Sequence, residues 1–273
     1  MQVANVERCL DLVEALAAEP DGAPLGELAD ALALPKSAAH RLLQALTARG
    51  YVTQDADTQD YRLSLKFVAL AFRHLDTGRL PDAAQAVLDR LARDSGEYCR
   101  LALVEGERLL WTARAQGATQ GLRYDPAMDG EVVLHATATG KAWLASLPEE
   151  AALALVYRRG FSTPPGFGPR VVRTVDELRA QLADTRARGY ALAIDEGESG
   201  TLAVATVFRA FDAADAPVAG TLSIAGPRAR IDDERATALA QLLPAAASEL
   251  AALWPLRRRQ RAATPSRVAA EAA

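Results

Sequence analysis

Five polar residues, none of them acidic, share one face of a predicted helix near the start of the chain: Lys36, Ser37, His40, Arg41 and Gln44. Side chains of these types donate hydrogen bonds to phosphate oxygens and to the edges of bases. Arginine can form a paired contact with O6 and N7 of guanine, and a helix N-terminus attracts phosphate. The face therefore predicts contact with double-stranded DNA, and its alternative is an ordinary solvated surface.

The elements that must position this face are predicted from residue spacing. Apolar residues three and four apart indicate three helices, over residues 3–16, 25–32 and 36–49. Two short β-prone runs, 51–53 and 61–63, flank a polar turn and predict a hairpin. Three helices and a hairpin are the order of a winged helix-turn-helix, although a small helical subdomain of another function has the same order. On the wing, the candidate DNA contacts are Thr58, Gln59 and Arg62.

The overall charge does not by itself favour nucleic acid, because the chain has 31 Lys and Arg against 35 Asp and Glu and a net charge of −4. Local charge decides contact with a phosphate, since salt screens charges beyond about 8–10 Å. Residues 35–50 contain Lys36, Arg41 and Arg49 and no acid. The net charge therefore does not exclude DNA binding by this segment.

The rest of the chain predicts a second, mixed domain. Two helices over residues 65–93 are expected to bridge the domains and to offer a dimer interface. Strands are predicted at 99–104, 109–113, 122–124, 190–194, 202–211 and 217–225, and helices at 136–146, 149–158, 175–188 and 231–253. This order predicts an α+β domain of about 150 residues around one sheet.

Several short segments approach catalytic or metal-binding motifs but lack an essential part. Gly140-Lys141 is not a phosphate-binding loop, because the upstream glycine and the following Ser or Thr are missing. Gly197-Glu198-Ser199-Gly200 lacks the spacing of a nucleophile elbow. The acids Asp195, Glu196 and Glu198 have no His or Cys nearby. We therefore expect no catalytic residue, no cofactor and no metal.

Composition bounds the class of protein. Of 273 residues, 50% are apolar and 24% charged, which excludes wholesale disorder. No uninterrupted apolar stretch approaches the roughly 18–20 residues that cross a bilayer, and the N-terminus does not have the pattern of a signal peptide. Two cysteines are too few for a disulfide framework. We expect a soluble cytoplasmic protein without a membrane partner.

Three segments together resemble the IclR family of bacterial transcription regulators over about residues 3–255. They are Leu34–Val52, His135–Ala142, and Arg188–Glu196 followed by Gly220–Pro227. The resemblance implies a GAF-like effector domain, a homodimer or dimer of dimers, and a small organic acid as ligand. The sequence departs from the family at Gln59-Asp60, where a Gly-Arg pair is frequent, and at Ala203, where many relatives have a cysteine.

The resemblance also places the effector site. It implies ligand contacts at Ala138, Thr139, Ala203, Ser223 and Ala225. The helix that includes Ala138 is expected to follow a strand directly, so that its N-terminal amides attract a carboxylate. An apolar wall is predicted from Leu122, Tyr124, Met128 and Val132. For each of these residues, packing in the core is the alternative.

The resulting fold is α+β, in four parts: a winged helix-turn-helix DNA-binding domain (1–64), linker helices for dimerisation (65–95), a GAF-like effector domain (96–255) and a basic, disordered tail (256–273). The tail either attracts phosphate or keeps the chain in solution. The predicted function is a sequence-specific regulator whose affinity for its operator, in a catabolic operon, is modulated by a small organic acid. The alternative is an enzyme that processes a small acid and carries an N-terminal interaction module.

Overall fold

The computed structural model describes the chain in four stretches, residues 2–70, 80–126, 131–210 and 216–263. The chain divides into two units, Met1–Thr77 and Gly78–Ala273. Each unit has a hydrophobic core of its own.

The N-terminal unit is built from short helices and one hairpin: α1 (Gln2–Ala17), α2 (Leu25–Ala31), α3 (Lys36–Ala48), β1 (Val52–Gln54), β2 (Tyr61–Leu63) and α4, which is helical over residues 66–70. The three helices and the hairpin predicted from the sequence are confirmed. The predicted continuation of α4 toward Gly78 lies outside the described residues.

The connection between α2 and α3 is a tight turn over residues 32–35. The N–H of Leu34 donates to the carbonyl of Ala29 at 2.8 Å, and Ala33 takes a left-handed conformation with φ of 50°. Pro35 follows with φ of −58°, the value that proline fixes and that suits the start of a helix. Two helices joined in this way form a helix-turn-helix.

The core of the N-terminal unit joins its first three helices and the hairpin: Leu12, Leu16, Ala23, Leu28, Leu43, Val52 and Tyr61. Each fully buried leucine stabilises the fold by about 1.5–3 kcal/mol relative to an exposed one. The turn after α1 is tied to the hairpin by two backbone hydrogen bonds of 2.9 Å between Ala23 and Tyr61. Gly22, with φ of 95°, permits this approach, since a Cβ there would lie 2.9 Å from the carbonyl oxygen of Tyr61.

The C-terminal unit groups its helices and strands in runs: α5 (Leu80–Ser95), β3 (Tyr98–Glu105), β4 (Arg108–Gln116), α6 (Ala138–Ala145), α7 (Glu149–Arg159), α8 (Val175–Arg188), β5 (Ala191–Ile194), β6 (Thr201–Arg209), β7 (Val218–Pro227), a 3-10 turn (Arg228–Arg230) and α9 (Asp233–Ala263). The predicted α+β class is confirmed. Local signals set the ends of α8, which begins at a capping box of Thr174 and Glu177 and ends at Gly189 with φ of 81°.

The five strands of this unit form one antiparallel sheet in the order β4-β3-β7-β6-β5. Side chains alternate between its two faces. One face is apolar, with residues such as Leu101, Val204 and Ile224, and packs against α5 and α9. The other face carries Tyr98, Arg100, Ser223 and Ala225 and is called the site face from here on. Helix α6 packs against the site face at β5 and β6.

Helix α9 is apolar over much of its length, although charged residues such as Arg235 and Glu249 interrupt it. By length and composition alone, its segment Asp233–Leu253 could cross a membrane, and no other helix in the described residues could. Its residues Leu239, Leu243 and Leu250 are buried against the apolar face of the sheet. This burial is that of the core helix of a globular domain.

Two predictions about this unit's elements are wrong. Residues 122–124 are not a strand, because side chains bind their carbonyl groups in place of a neighbouring strand: Gln116 Nε2 donates to Tyr124 and Arg230 Nη1 to Leu122. The tail predicted to be disordered from residue 256 is helical as far as Ala263. Arginine and alanine are strong helix formers, and cations near a helix C-terminus are favourable. Residues 264–273 lie outside the described part of the chain.

Candidate functional site

The face of α3 that carries the predicted DNA contacts is open to solvent. Four of its five residues are exposed and the fifth, His40, is half-buried. On the opposite side of the helix, Ala39 and Leu43 are completely buried. Helix α3 is thus anchored along one side and free along the other, as a helix that enters a DNA groove must be.

The N-terminus of α3 is suited to an anion. Pro35 holds the cap position, and no side chain in the described residues accepts a hydrogen bond from the first turn there. The first N–H groups of a helix have no acceptor within the helix, so a phosphate can satisfy them. Lys36 adds positive charge at this end. Its ammonium lies beside Gly26 of α2, where a Cβ would come within 3.6 Å of Nζ.

The wing is held together by its own side chains. Asp55 Oδ1 accepts the backbone N–H groups of Asp57 and Thr58 at 2.9 and 3.1 Å, and its Oδ2 accepts a hydrogen bond from Arg62 at 3.2 Å. These backbone N–H groups hold the pKa of Asp55 below its usual range. Gln59, in a left-handed conformation with φ of 65°, donates to the carbonyl of Ala56 at 2.8 Å. All three predicted wing contacts are thus already engaged inside the hairpin, since Thr58 Oγ1 also accepts the backbone N–H of Asp60 at 3.2 Å.

In the C-terminal unit, the strand register brings predicted effector residues together on the site face. One row across the sheet consists of Gln116, Tyr98, Ala225, Ala203 and Ala193. The adjacent row consists of Arg114, Arg100, Ser223, Ala205 and Ala191. Directly paired residues have Cβ atoms about 4.5–5.5 Å apart. Three predicted residues, Ala203, Ser223 and Ala225, are therefore immediate neighbours.

The same rows contain two residues that the sequence analysis missed, Tyr98 and Arg100. Arg100 lies directly opposite Ser223, and Tyr98 lies opposite Ala225. Burial lowers the pKa of Arg100, while the nearby Tyr124, Tyr98 and Glu198 oppose that shift. The available signal was an arginine inside an otherwise apolar strand.

The start of α6 lies beside these rows. Ala138 packs with Ala203 and with the alanines of β5 and β6, and Thr139 is buried. The helix follows a turn rather than a strand, contrary to prediction, and Thr137 caps it by accepting the N–H of Gly140 at 3.0 Å. Gly140 has a packing role, because a Cβ there would lie 2.3 Å from the carbonyl oxygen of Leu134. Because the N–H of Gly140 already donates to Thr137, this amide is not available to a ligand.

The predicted apolar wall is mostly absent. Leu122 is 65% exposed, because its segment runs along the surface, and Val132 is buried in the core with Leu109 and Trp143. Tyr124 is half-buried, with its ring 5.8 Å from that of Tyr98 in an edge-to-face arrangement. Met128 lies outside the described residues. Of the wall, only Tyr124 adjoins the site face among the described residues.

A cavity of about 200 Å³ lies elsewhere in this unit, lined in part by Glu131, Val132, His135 and Arg159. Glu131 pairs with Arg159, so the cavity offers no unpaired cation from that arginine. His135 is buried against the ring of Phe161, and burial lowers its pKa, so it is neutral near pH 7. Ala203, Ser223 and Ala225 of the site face do not line this cavity. We regard the site face as the better candidate for binding an acid.

The acids after β5 serve the fold. Glu196 Oε1 accepts a hydrogen bond from Lys141 Nζ at 2.7 Å, and Gln181 Oε1 accepts another from the same ammonium. The side chain of Asp195 accepts the backbone N–H of Gly200 at 2.7 Å. Within the described residues, no group of three His, Cys, Asp or Glu side chains is placed to hold a metal ion.

Comparison with known proteins agrees with the division of the chain into an N-terminal and a C-terminal unit. The IclR helix-turn-helix domain matches residues 5–56, and the bacterial transcriptional regulator IclR C-terminal domain matches residues 72–252. The acetate operon repressor of Salmonella typhimurium is 31% identical over 251 residues, covering 91% of this chain and 89% of the repressor. Such relatives are transcription regulators, so the alternative of an acid-processing enzyme gains no support from them.

Solved structures show the same fold. An IclR transcriptional regulator from Alicyclobacillus acidocaldarius superimposes with a TM-score of 0.78 at 22% identity, covering 93% of this chain and 99% of the other. An IclR homologue from Microbacterium hydrocarbonoxydans, complexed with 4-hydroxybenzoate, gives a TM-score of 0.73 at 23% identity, covering 92% and 99%. With both of its domains matched, the chain belongs to the IclR family of DNA-binding transcriptional regulators.

Proposed function

We propose that this regulator binds its operator through α3, which enters the major groove with Lys36, Ser37, His40, Arg41 and Gln44 as contacts. The observation that carries the proposal is the exposed, acid-free face of this helix. Arg41 is the candidate for base recognition, since a paired contact with guanine discriminates by about 1–3 kcal/mol. Lys36 and Ser37, at the uncapped end of α3, suit a phosphate.

The wing has a smaller part in this proposal. Thr58 is exposed at the tip, and its hydroxyl, which accepts the N–H of Asp60, can still donate to the backbone of DNA. Gln59 and Arg62 reach DNA only when they give up contacts inside the hairpin. We therefore assign most of the specificity to α3.

We propose that the chain acts as a homodimer or a dimer of dimers. Exposed apolar side chains favour this: Val6 and Leu10 on α1 are 60% and 56% exposed, and Leu65 and Val68 are 82% and 48% exposed. Exposed apolar groups of this kind mark interfaces between proteins. Two copies of α3 related by a two-fold axis suit a pseudo-palindromic operator with half-sites about 34 Å apart, or a multiple of that distance.

We propose a small organic acid as the effector, bound on the site face near Ala138, Thr139, Ala203, Ser223 and Ala225, with Tyr124 beside it. Support comes from the register that joins three of these residues, and from the 4-hydroxybenzoate held by the Microbacterium relative. A ligand that prefers one dimer geometry shifts the population toward it and so changes operator affinity. We assign the regulator to the cytoplasm and to the control of a catabolic operon.

The experiment is a gel-shift assay with DNA from upstream of the protein's own gene, at low salt, with and without organic acids. We expect the protein to retard this DNA even when unrelated DNA is added as a competitor. We also expect at least one acid to change the protein concentration at which half of the DNA is retarded. The absence of retardation under every condition would contradict operator binding. Retardation that no acid alters would contradict only the effector part.

A further inference from the structure

Arg100 is held between aromatic rings on the site face. Its Cζ lies 3.7 Å from the centre of the Trp111 ring and 5.7 Å from that of the Tyr98 ring. Tyr124, beside Tyr98, interacts with Arg100 through a side-chain hydrogen bond as well as through its charge. Stacking on aromatic rings is favourable for a guanidinium and fixes its orientation.

The guanidinium nevertheless lacks a full set of partners. Its Nε is buried without a hydrogen-bond acceptor, and no carboxylate in the described ranges lies within 4 Å of it. Other arginines of this unit differ, since Arg230 binds both carboxylate oxygens of Glu97 at 2.7 Å and Arg114 lies 3.8 Å from Asp125. Burying a charge without an ion-pair partner is costly, so a guanidinium held only by aromatic groups and with a free Nε is suited to receive an anion.

We infer that Arg100 receives the carboxylate of the effector and is therefore the residue that makes this regulator respond to acids. The inference rests on the proposed effector function of the site face. Ser223, directly opposite Arg100, can donate its hydroxyl to the same carboxylate, because the two residues are paired across β3 and β7. A forked guanidinium binds a carboxylate through two parallel hydrogen bonds.

The surroundings of Arg100 also indicate the class of acid. The neighbours beyond Ser223 are small and apolar, namely Ala203, Ala205 and Ala225, and they suit a hydrocarbon body. A second carboxylate on the ligand would lie against these alanine side chains, which offer it no hydrogen-bond donor, and its burial would be costly. The site therefore favours a monocarboxylate with an apolar body over a dicarboxylate.

The test measures ligand affinity by calorimetry on the full-length protein. The probes are benzoate and 4-hydroxybenzoate, their neutral carboxamides, and the dicarboxylate terephthalate. The variants are Arg100→Gln, Arg100→Lys and a control, Arg114→Gln, which removes a guanidinium from the adjacent position in the same row. We expect Arg100→Gln to weaken monocarboxylate binding about 30-fold or more, Arg100→Lys to weaken it less, and Arg114→Gln to leave it unchanged.

Two further measurements separate binding from a structural role. The parent protein should bind the carboxamides as weakly as Arg100→Gln binds the acids, and it should bind terephthalate more weakly than benzoate. Arg100→Gln should unfold at the same temperature as the parent or a higher one, since the buried charge that it removes has no ion-pair partner to offset the cost of its burial. A structural arginine would lower that temperature.

The outcomes distinguish this inference from the proposed function. If the parent binds a monocarboxylate and Arg100→Gln binds it equally well, the inference is overturned and the effector function stands. If none of the acids binds the parent protein, the inference and the acid effector both fail. If the carboxamides bind as tightly as the acids, the ligand does not need the charge of Arg100 and the inference is overturned.

Discussion

Lys141 Nζ lies 2.7 Å from Glu196 Oε1, and the two side chains are only 1% and 5% exposed. The pair connects α6, which packs on the site face, to the loop between β5 and β6, while Gln181 of α8 holds the same ammonium. Burial lowers the pKa of Lys141 and raises that of Glu196, and the attraction between the two charges opposes both shifts. Lys141, whose pair with Gly140 resembles part of a phosphate-binding loop, therefore stabilises the fold by joining these elements.

Removing one partner of this pair should be strongly destabilising. Lys141→Met leaves a buried carboxylate without its cation, and we expect the free energy of unfolding to fall by about 3–5 kcal/mol in denaturant titrations. The double variant Lys141→Met/Glu196→Leu should lose less than the sum of the two single variants, because both charges leave together. The control is Arg179→Gln, whose exposed pairing with Glu149 should be worth at most about 1 kcal/mol. Equal losses for Lys141→Met and Arg179→Gln would contradict a structural role for the buried pair.

The two cysteines should differ in reactivity. Burial raises the pKa of the Cys99 thiol to about 12, and the thiol lies 3.6 Å from Ser95 Oγ, whereas Cys9 is only partly buried on α1. Thiolates are the reactive form, so we expect one fast thiol per native chain with a disulfide reagent at pH 8, and two after unfolding. Cys9→Ser should remove the fast reaction. Two fast thiols in the native parent would show that Cys99 is accessible.

The stability of the C-terminal unit should depend on His135 at acidic pH. Because burial depresses the pKa of His135 in the folded state, the unfolded chain takes up the proton first as the pH falls below about 6.5. The contribution of the neutral histidine is thus present above that pH and is lost on acidification. We expect the parent to lose more unfolding free energy between pH 7.5 and 5.5 than His135→Gln does. An equal loss in both proteins would rule out this histidine as a source of the pH dependence.

The wing offers a prediction of increased affinity. Asp55→Asn keeps an oxygen for the N–H groups of Asp57 and Thr58, but it releases the charge of Arg62. We expect tighter binding to any duplex and a salt dependence steeper by about one counterion. Asp57→Asn is the matched control, since it removes an exposed charge and frees no arginine. If both variants have the same salt dependence, Arg62 does not reach phosphate.

How much of this fold could be predicted depends on how far apart in the sequence the residues that determine each element lie. The helices α1 to α3 and the hairpin depend on local spacing, on Pro35 and on short turns, and sequence alone predicts them correctly. The segment 122–124 could not be predicted, because its carbonyls are bound by Gln116 and by the distant Arg230. Contacts of that kind are absent from any local pattern.

The effector site shows the same limit. Ser223 and Ala225 followed from resemblance to a family, but Arg100 became visible only when the register of β3 and β7 placed it opposite Ser223. Leu122 was predicted to form a wall from its apolar type alone and is exposed. Pairing between strands far apart in sequence, which no single segment encodes, decides which side chains share a site.

The most direct test of the central claim is the DNA affinity of Arg41→Ala compared with Arg49→Ala, measured by fluorescence anisotropy on duplex from upstream of the gene and on a scrambled duplex. Both residues are exposed cations of the α3 region, but only Arg41 lies on the proposed recognition face. We predict that Arg41→Ala loses about 1–3 kcal/mol on the upstream duplex and most of its preference over the scrambled one, with its circular dichroism unchanged. Arg49→Ala should weaken both duplexes slightly and equally. If Arg41→Ala binds the upstream duplex as tightly and as selectively as the parent, α3 does not read the operator.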